Sequence, residues 1–166
     1  MRVPDKMQIF KGISAILLCA SALATEPLQD QFESFDLKGT IFSEASLSMP
    51  VPQSSILLTR RREDRCSAMG GPVGVFSLRD GALWLVRFRS CGSDEIPLSE
   101  IYPDTHDAIK AEWLNGIFTV LAGKQCVEAG GKLRHEKTIK IRIKHGNVEN
   151  MAVKADDILH CGSTIN

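Results

Sequence analysis

The sequence predicts a mainly β fold: a single antiparallel domain of short strands, barrel-like or sandwich in arrangement and stabilised by disulfides. Three observations predict it. Asp80-Gly81, a two-residue hairpin signal, separates two apolar runs. Ile139, Ile141 and Ile143 alternate with Lys140, Arg142 and Lys144, the period of a strand with one face in the core and one in solvent. Four cysteines, Cys66, Cys91, Cys126 and Cys161, follow an N-terminal stretch that reads as an export signal.

Taken in order, residues 25–34 are polar and read as a loose terminus. Phe35 to Phe42 alternates in part and predicts a first strand. Ser43 to Ser55, with Pro50, Pro52 and several serines, predicts a loop. Ile56 to Thr59 reads as a short apolar strand, followed by a charged surface segment from Arg60 to Arg65. Gly74 to Leu78 and Ala82 to Phe88 are the arms of the Asp80-Gly81 hairpin. Strict alternation would put Leu83, Leu85 and Arg87 on one face and Trp84, Val86 and Phe88 on the other. Pro97 to Ile101 suits a short helical turn ended by Pro103. Trp113 to Val120 reads as a strand with Gly116 as its bulge. Thr138 to Lys144 and Val148 to Val153 form a second hairpin about His145-Gly146-Asn147, and Asp156 to Leu159 suits a brief helix. Six to eight short strands result, with no long amphipathic helix.

Residues 1–24 carry the three parts of a secretory signal. Arg2, Lys6 and Lys11 make the front basic, Ile13 to Ala20 is apolar, and Ala22-Leu23-Ala24 supplies the small residues before cleavage. The expected product is a single β-rich domain, residues 25–166, in the periplasm or secreted. Cys19 offers a lipid-anchored alternative, disfavoured because Leu18 rather than a small residue precedes it. The apolar run is shorter than the roughly 20 residues a membrane span needs, and residues 25–166 contain no transmembrane segment. That stretch has 17 basic and 19 acidic residues, a net charge of −2. Such a balance argues against nucleic-acid binding through bulk charge.

An even set of thiols in an exported chain predicts disulfides, though four cysteines allow three pairings. The turns favour Cys66–Cys91 and Cys126–Cys161. About Asp80-Gly81 the position opposite Cys66 falls near 95, and about His145-Gly146-Asn147 the position opposite Cys126 falls near 166. Each bridge would clip the base of a hairpin, contributing about 3 to 4 kcal/mol if unstrained. No C-x-x-C spacing occurs, so a structural zinc site is disfavoured and no metal is expected.

No catalytic residue stands out. G-x-S-x-G and H-E-x-x-H are absent. Gly116 and Gly123-Lys124 miss the phosphate-loop spacing, and Gln125 stands where a Ser or Thr should be. His106 between Asp104 and Asp107 reads as a solvated loop. No cofactor is expected. Two basic groups remain. Lys140, Arg142 and Lys144 should share the outward face of one strand, an ordinary solvated face that discourages edge pairing. Arg60, Arg61 and Arg62 are the candidate partner-binding residues, because guanidinium groups make directed contacts to carboxylates.

Cys66-Ser67-Ala68 followed by glycine, Leu83-Trp84-Leu85, Leu98 to Pro103, Ala111 to Gly116, Gly123-Lys124 and the Glu136 to Val148 strand and turn together resemble an uncharacterised family of small bacterial β-rich proteins. The resemblance spans Cys66 to Val148. It implies a β-rich domain and no particular activity. With export and size, it gives the expectation of a non-enzymatic bacterial protein-binding module, one version being a periplasmic immunity or inhibitor protein against a toxin or lytic enzyme. The alternatives are a small periplasmic hydrolase with a site assembled from distant residues, and a structural envelope-associated protein.

Overall fold

The computed structural model describes residues 29–34, 37–44, 49–64, 71–90, 94–105, 107–128 and 131–156, with 163–165 as backbone. Its strands are β1 (Gln31–Ser34), β2 (Leu37–Ser43), β3 (Val73–Arg79), β4 (Ala82–Arg89), β5 (Glu95–Ile96), β6 (Ile109–Lys110), β7 (Gly116–Val127), β8 (Leu133–Lys144), β9 (Asn147–Ala155) and β10 (Ser163–Ile165). Two helices, α1 (Ser55–Glu63) and α2 (Leu98–Ile101), complete the described elements.

All ten strands belong to one sheet, and seven of them close into a ring, β7-β2-β1-β3-β4-β9-β8 and back to β7. The barrel-like expectation is met. Every pairing is antiparallel except β1 with β3, where Gln31 faces Val75 and Phe32 faces Phe76. The ring closes narrowly between β4 and β9, at Ala82 opposite Asn147. There the Leu83 N–H donates to the Gly146 carbonyl and the Val148 N–H to the Gly81 carbonyl, each at 2.8 Å. The tips of the two glycine turns therefore stand side by side. Gly146 has φ 74°, and a Cβ there would sit 2.9 Å from the Ala111 backbone, so this turn admits glycine on two grounds. Beyond the closure, β4 pairs with β6 and β5 instead of β9.

The interior is filled by alternate residues of the ring. Ile139, Ile141 and Ile143 are buried, while Lys140, Arg142 and Lys144 are exposed, as the alternation predicts. On β4 strict alternation fails. The β3–β4 register shifts between Val75 and Phe76, which face Arg87 and Leu85, so Val86 is the extra residue of a bulge. The shift turns Phe88 onto the core face with Leu83 and Leu85, all three fully buried, and leaves Trp84 half-buried. A second bulge interrupts β7 between Ala122 and Gln125, around Gly123 at φ 81°. The bulge expected at Gly116 thus lies seven residues later, and Gly116 opens the strand.

Two assignments are corrected. Residues 31–34 form strand β1 rather than a loose terminus, because β2 and β3 flank them on both edges. Ile56 to Thr59 is helical. The Ser54 hydroxyl caps α1 by accepting the Leu57 N–H at 3.0 Å, and Arg60 to Arg62 occupy the last turn, where cations suit the helix dipole. A run of four residues fixes no period, and the cap decides it. The expected helical turn near Pro97 is α2. The brief helix expected from Asp156 to Leu159 falls, beyond Asp156, outside the described residues, as does His106.

Candidate functional site

Three regions carry chemistry. The first surrounds α1. The proline-bearing segment before it is held to the ring by groups distant in sequence. The buried Asp30 carboxylate accepts the Met49 N–H and the Gly74 N–H, each at 2.6 Å. The Trp113 indole donates to the Pro50 carbonyl at 2.7 Å, and the Tyr102 hydroxyl donates to the Pro52 carbonyl at 2.6 Å. The Ser54 hydroxyl donates to the Ile101 carbonyl at 3.0 Å while capping the helix. The two prolines offer carbonyls but no N–H, so aromatic donors satisfy them. Burial pushes the Asp30 carboxyl up to about 6, against the two backbone donors and the Arg61 guanidinium, which favour the charged form. Burial likewise pushes the Tyr102 hydroxyl up, with Arg61 opposing it.

This fixes the surroundings of the three candidate arginines. Consecutive residues of a helix point about 100° apart, so they do not form one edge. Arg60 pairs with Glu100 of α2 at 3.3 Å, with both side chains about half exposed. Arg61 is half-buried and lends its charge to Asp30 and Tyr102. Arg62 is exposed, and one turn earlier Leu58 is 45% exposed. An open groove of about 550 Å³ runs beside the start of the helix, between Pro52, Ile56, Tyr102 and Ile109.

The second region is a groove of about 400 Å³ over the far ends of β7, β8 and β9, lined by Leu121, Lys132, Arg134, His135, Thr138, Lys154 and Asp156. The Lys154 ammonium lies 2.7 Å from the Asp156 carboxylate, which also accepts the Thr138 hydroxyl at 3.3 Å. The bond from Lys154 holds the Asp156 carboxyl below its usual range. His135 is buried, with Nε2 3.0 Å from the Gln125 side-chain nitrogen. Asp156 is thereby kept as an ionised acceptor rather than a proton donor at neutral pH.

The third region is β9. Met151 and Val153 lie opposite Ile141 and Ile139, so they share the core-facing side of the sheet. Nevertheless they are 48% and 57% exposed. Apart from the closure with β4 at Asn147, the described pairings of β9 are all with β8. From Glu149 onward its other edge is open among the described residues.

No family model matches the chain, nor does any curated protein or solved structure. Cys66, Cys91 and Cys161 lie outside the described residues, as do residues 1–24. Among the described residues no helix is long and apolar enough to cross a membrane. The sequence reading singled out Arg60 to Arg62 and the outward row on β8. It missed Asp30, whose role depends on the separate Met49 and Gly74 amides. It also missed the edge of β9, which looks like any returning hairpin arm until the ring's narrow closure is known.

Proposed function

We propose that the chain is an exported bacterial protein-binding module, in its most specific form an immunity or inhibitor protein that occupies the active site of a toxin or lytic enzyme in the periplasm. The observation that carries the reading is the edge of β9, open among the described residues, with its exposed Met151 and Val153. An apolar strand edge is a template for another chain, and sequences usually blunt such edges. Here the apolar side chains of β9 are left in solvent. Arg60 and Arg62, exposed on α1 with Leu58, offer a second contact suited to carboxylates.

Export is supported by the basic front, apolar run and small residues of the leader. The resemblance to small bacterial β-rich proteins agrees with it. The Cys66–Cys91 and Cys126–Cys161 pairings belong to the same reading. What supports the second is that Cys126 is fully buried and that β10 runs antiparallel to β7 with Thr164 opposite Cys126. The route differs from a hairpin clip, because Cys126 lies on β7 and not on an arm of the β8–β9 hairpin. The test is capture of a protein partner from envelope extract on the immobilised chain. A recovered partner that binds the purified chain with saturation supports the reading. No such partner, together with turnover of a small substrate, moves the chain to the hydrolase class.

A further inference from the structure

We infer that β9 accepts an extended segment of the partner as an added strand, and that this segment alternates apolar with acidic side chains. The inference rests on the protein-binding reading and specifies how that binding is made.

The backbone is arranged for it. The Asp156 N–H donates to the Glu136 carbonyl at 2.9 Å, so position 156 faces β8. Main-chain groups of a strand alternate between its two edges. Ala152 and Lys154, which lie opposite Lys140 and Thr138, therefore turn their N–H and C=O groups to β8. Met151, Val153 and Ala155 turn theirs away, to the open edge. Among the described residues these three donors and three acceptors have no strand beside them, and they are interleaved as an antiparallel or parallel strand requires.

The two faces of the edge differ in chemistry. On the core-facing side the incoming strand would meet Met151 and Val153, so every second residue of it should be apolar. On the outward side the basic row lies close. Lys140 and Arg142 of β8 are opposite Ala152 and Asn150 of β9, and Lys154 is on β9 itself. Ala152 is too small to shield an added strand from the Lys140 side chain. Lys140 has an exposed partner in Glu44 and Lys154 a largely buried one in Asp156, whereas Arg142 makes no ion pair among the described residues. An acidic residue on the outward side of the incoming strand would complete that row.

The same charges oppose a second copy of this chain. Antiparallel pairing of two β9 edges with Met151 opposite Val153 would put Lys154 opposite Asn150, the neighbour of Arg142. Two basic faces would then lie side by side, which is unfavourable.

The test titrates the purified protein with a blocked eight-residue peptide of alternating valine and glutamate, and with its valine–lysine counterpart. Affinity is measured by calorimetry and exchange of individual amides by NMR. The valine–glutamate peptide should bind at least about tenfold more tightly than the lysine peptide, and more weakly in raised salt. It should slow exchange at Met151, Val153 and Ala155. Val153→Pro removes an N–H that faces the open edge, so it should abolish binding while leaving the melting temperature nearly unchanged. Arg142→Glu combined with Lys154→Glu changes only side chains and should invert the preference between the peptides. Equal binding of the two peptides, undiminished binding to a folded Val153→Pro, or an unchanged preference in the charge-reversed variant would overturn the inference. Concentration-dependent dimers lost in Val153→Pro would overturn it in favour of a second copy. A captured envelope partner that binds Val153→Pro at full affinity would refute strand addition yet leave the protein-binding reading standing.

Discussion

Asp30 is the residue on which the loop before α1 depends, and its charge is finely placed. Two backbone N–H groups reward the carboxylate, while burial at 5% exposure penalises it more. The folded carboxyl therefore titrates at about 6, above the unfolded value of 3.8. The folded state binds the proton more tightly, so this group's contribution is fully present below about pH 4. It is lost as pH rises through about 6, amounting to about 3 kcal/mol by pH 7. Asp30→Asn keeps one acceptor and turns an amide donor towards the other N–H, costing about 1 to 3 kcal/mol. Denaturant melts from pH 4 to pH 7 should show the variant furthest below the wild type at pH 4, with the gap narrowing towards pH 7. Parallel pH profiles would mean that Asp30 does not titrate in this range. None of this was legible in the sequence, where Asp30 is one acid in a polar stretch and its partners lie 19 and 44 positions away.

At the scale of elements, periodicity was informative where it ran long enough and where no bulge reset it. The alternation from Thr138 to Lys144 gave both the strand and its facing. The four residues from Ile56 to Thr59 gave the wrong element, because the decisive signal was the Ser54 hydroxyl rather than the apolar run. On β4 the facing was right through Leu85 and wrong at Phe88, because the bulge at Val86 is set by register with β3. The β8 facing makes a direct comparison possible. Ile141 is fully buried, so Ile141→Ala should cost about 2 to 5 kcal/mol. Lys140 is largely exposed and its pair with Glu44 is 3.4 Å long, so Lys140→Ala should stay within about 0.5 kcal/mol. Equal shifts of the denaturation midpoint in the two variants would contradict this arrangement.

For the molecule as a whole, the ring explains why one edge of β9 is open among the described residues although both hairpins are well formed. Among the described residues closure is confined to the two turn tips, joined by the Leu83–Gly146 and Val148–Gly81 hydrogen bonds, and beyond it β4 and β9 part. The fold class was legible because it follows from local turns and alternation. The open edge was not, since it depends on how far two distant hairpins stay paired. Likewise Arg60 to Arg62 were visible as a cluster, but only a helix separates them into an ion-paired, a half-buried and an exposed residue. At this scale the chain recovered from the periplasm should begin at Thr25, and non-reducing peptide mapping should give Cys66–Cys91 and Cys126–Cys161. An intact Met1, or a Cys66–Cys161 link, would contradict those two expectations.

The central claim is that this molecule acts by binding another protein. Its most direct test is calorimetric titration of the purified chain with the partner captured from envelope extract, at low and raised salt. Arg61 is left unchanged in the comparison variant because its charge also serves Asp30 and Tyr102. The account predicts saturable one-to-one binding that weakens with salt, and at least about tenfold weaker binding by the folded Arg60→Ala/Arg62→Ala variant. Unchanged affinity and salt dependence in that variant would remove α1 from the interface. Absence of saturable heat with any captured protein, alongside turnover of a small substrate, would contradict the claim itself.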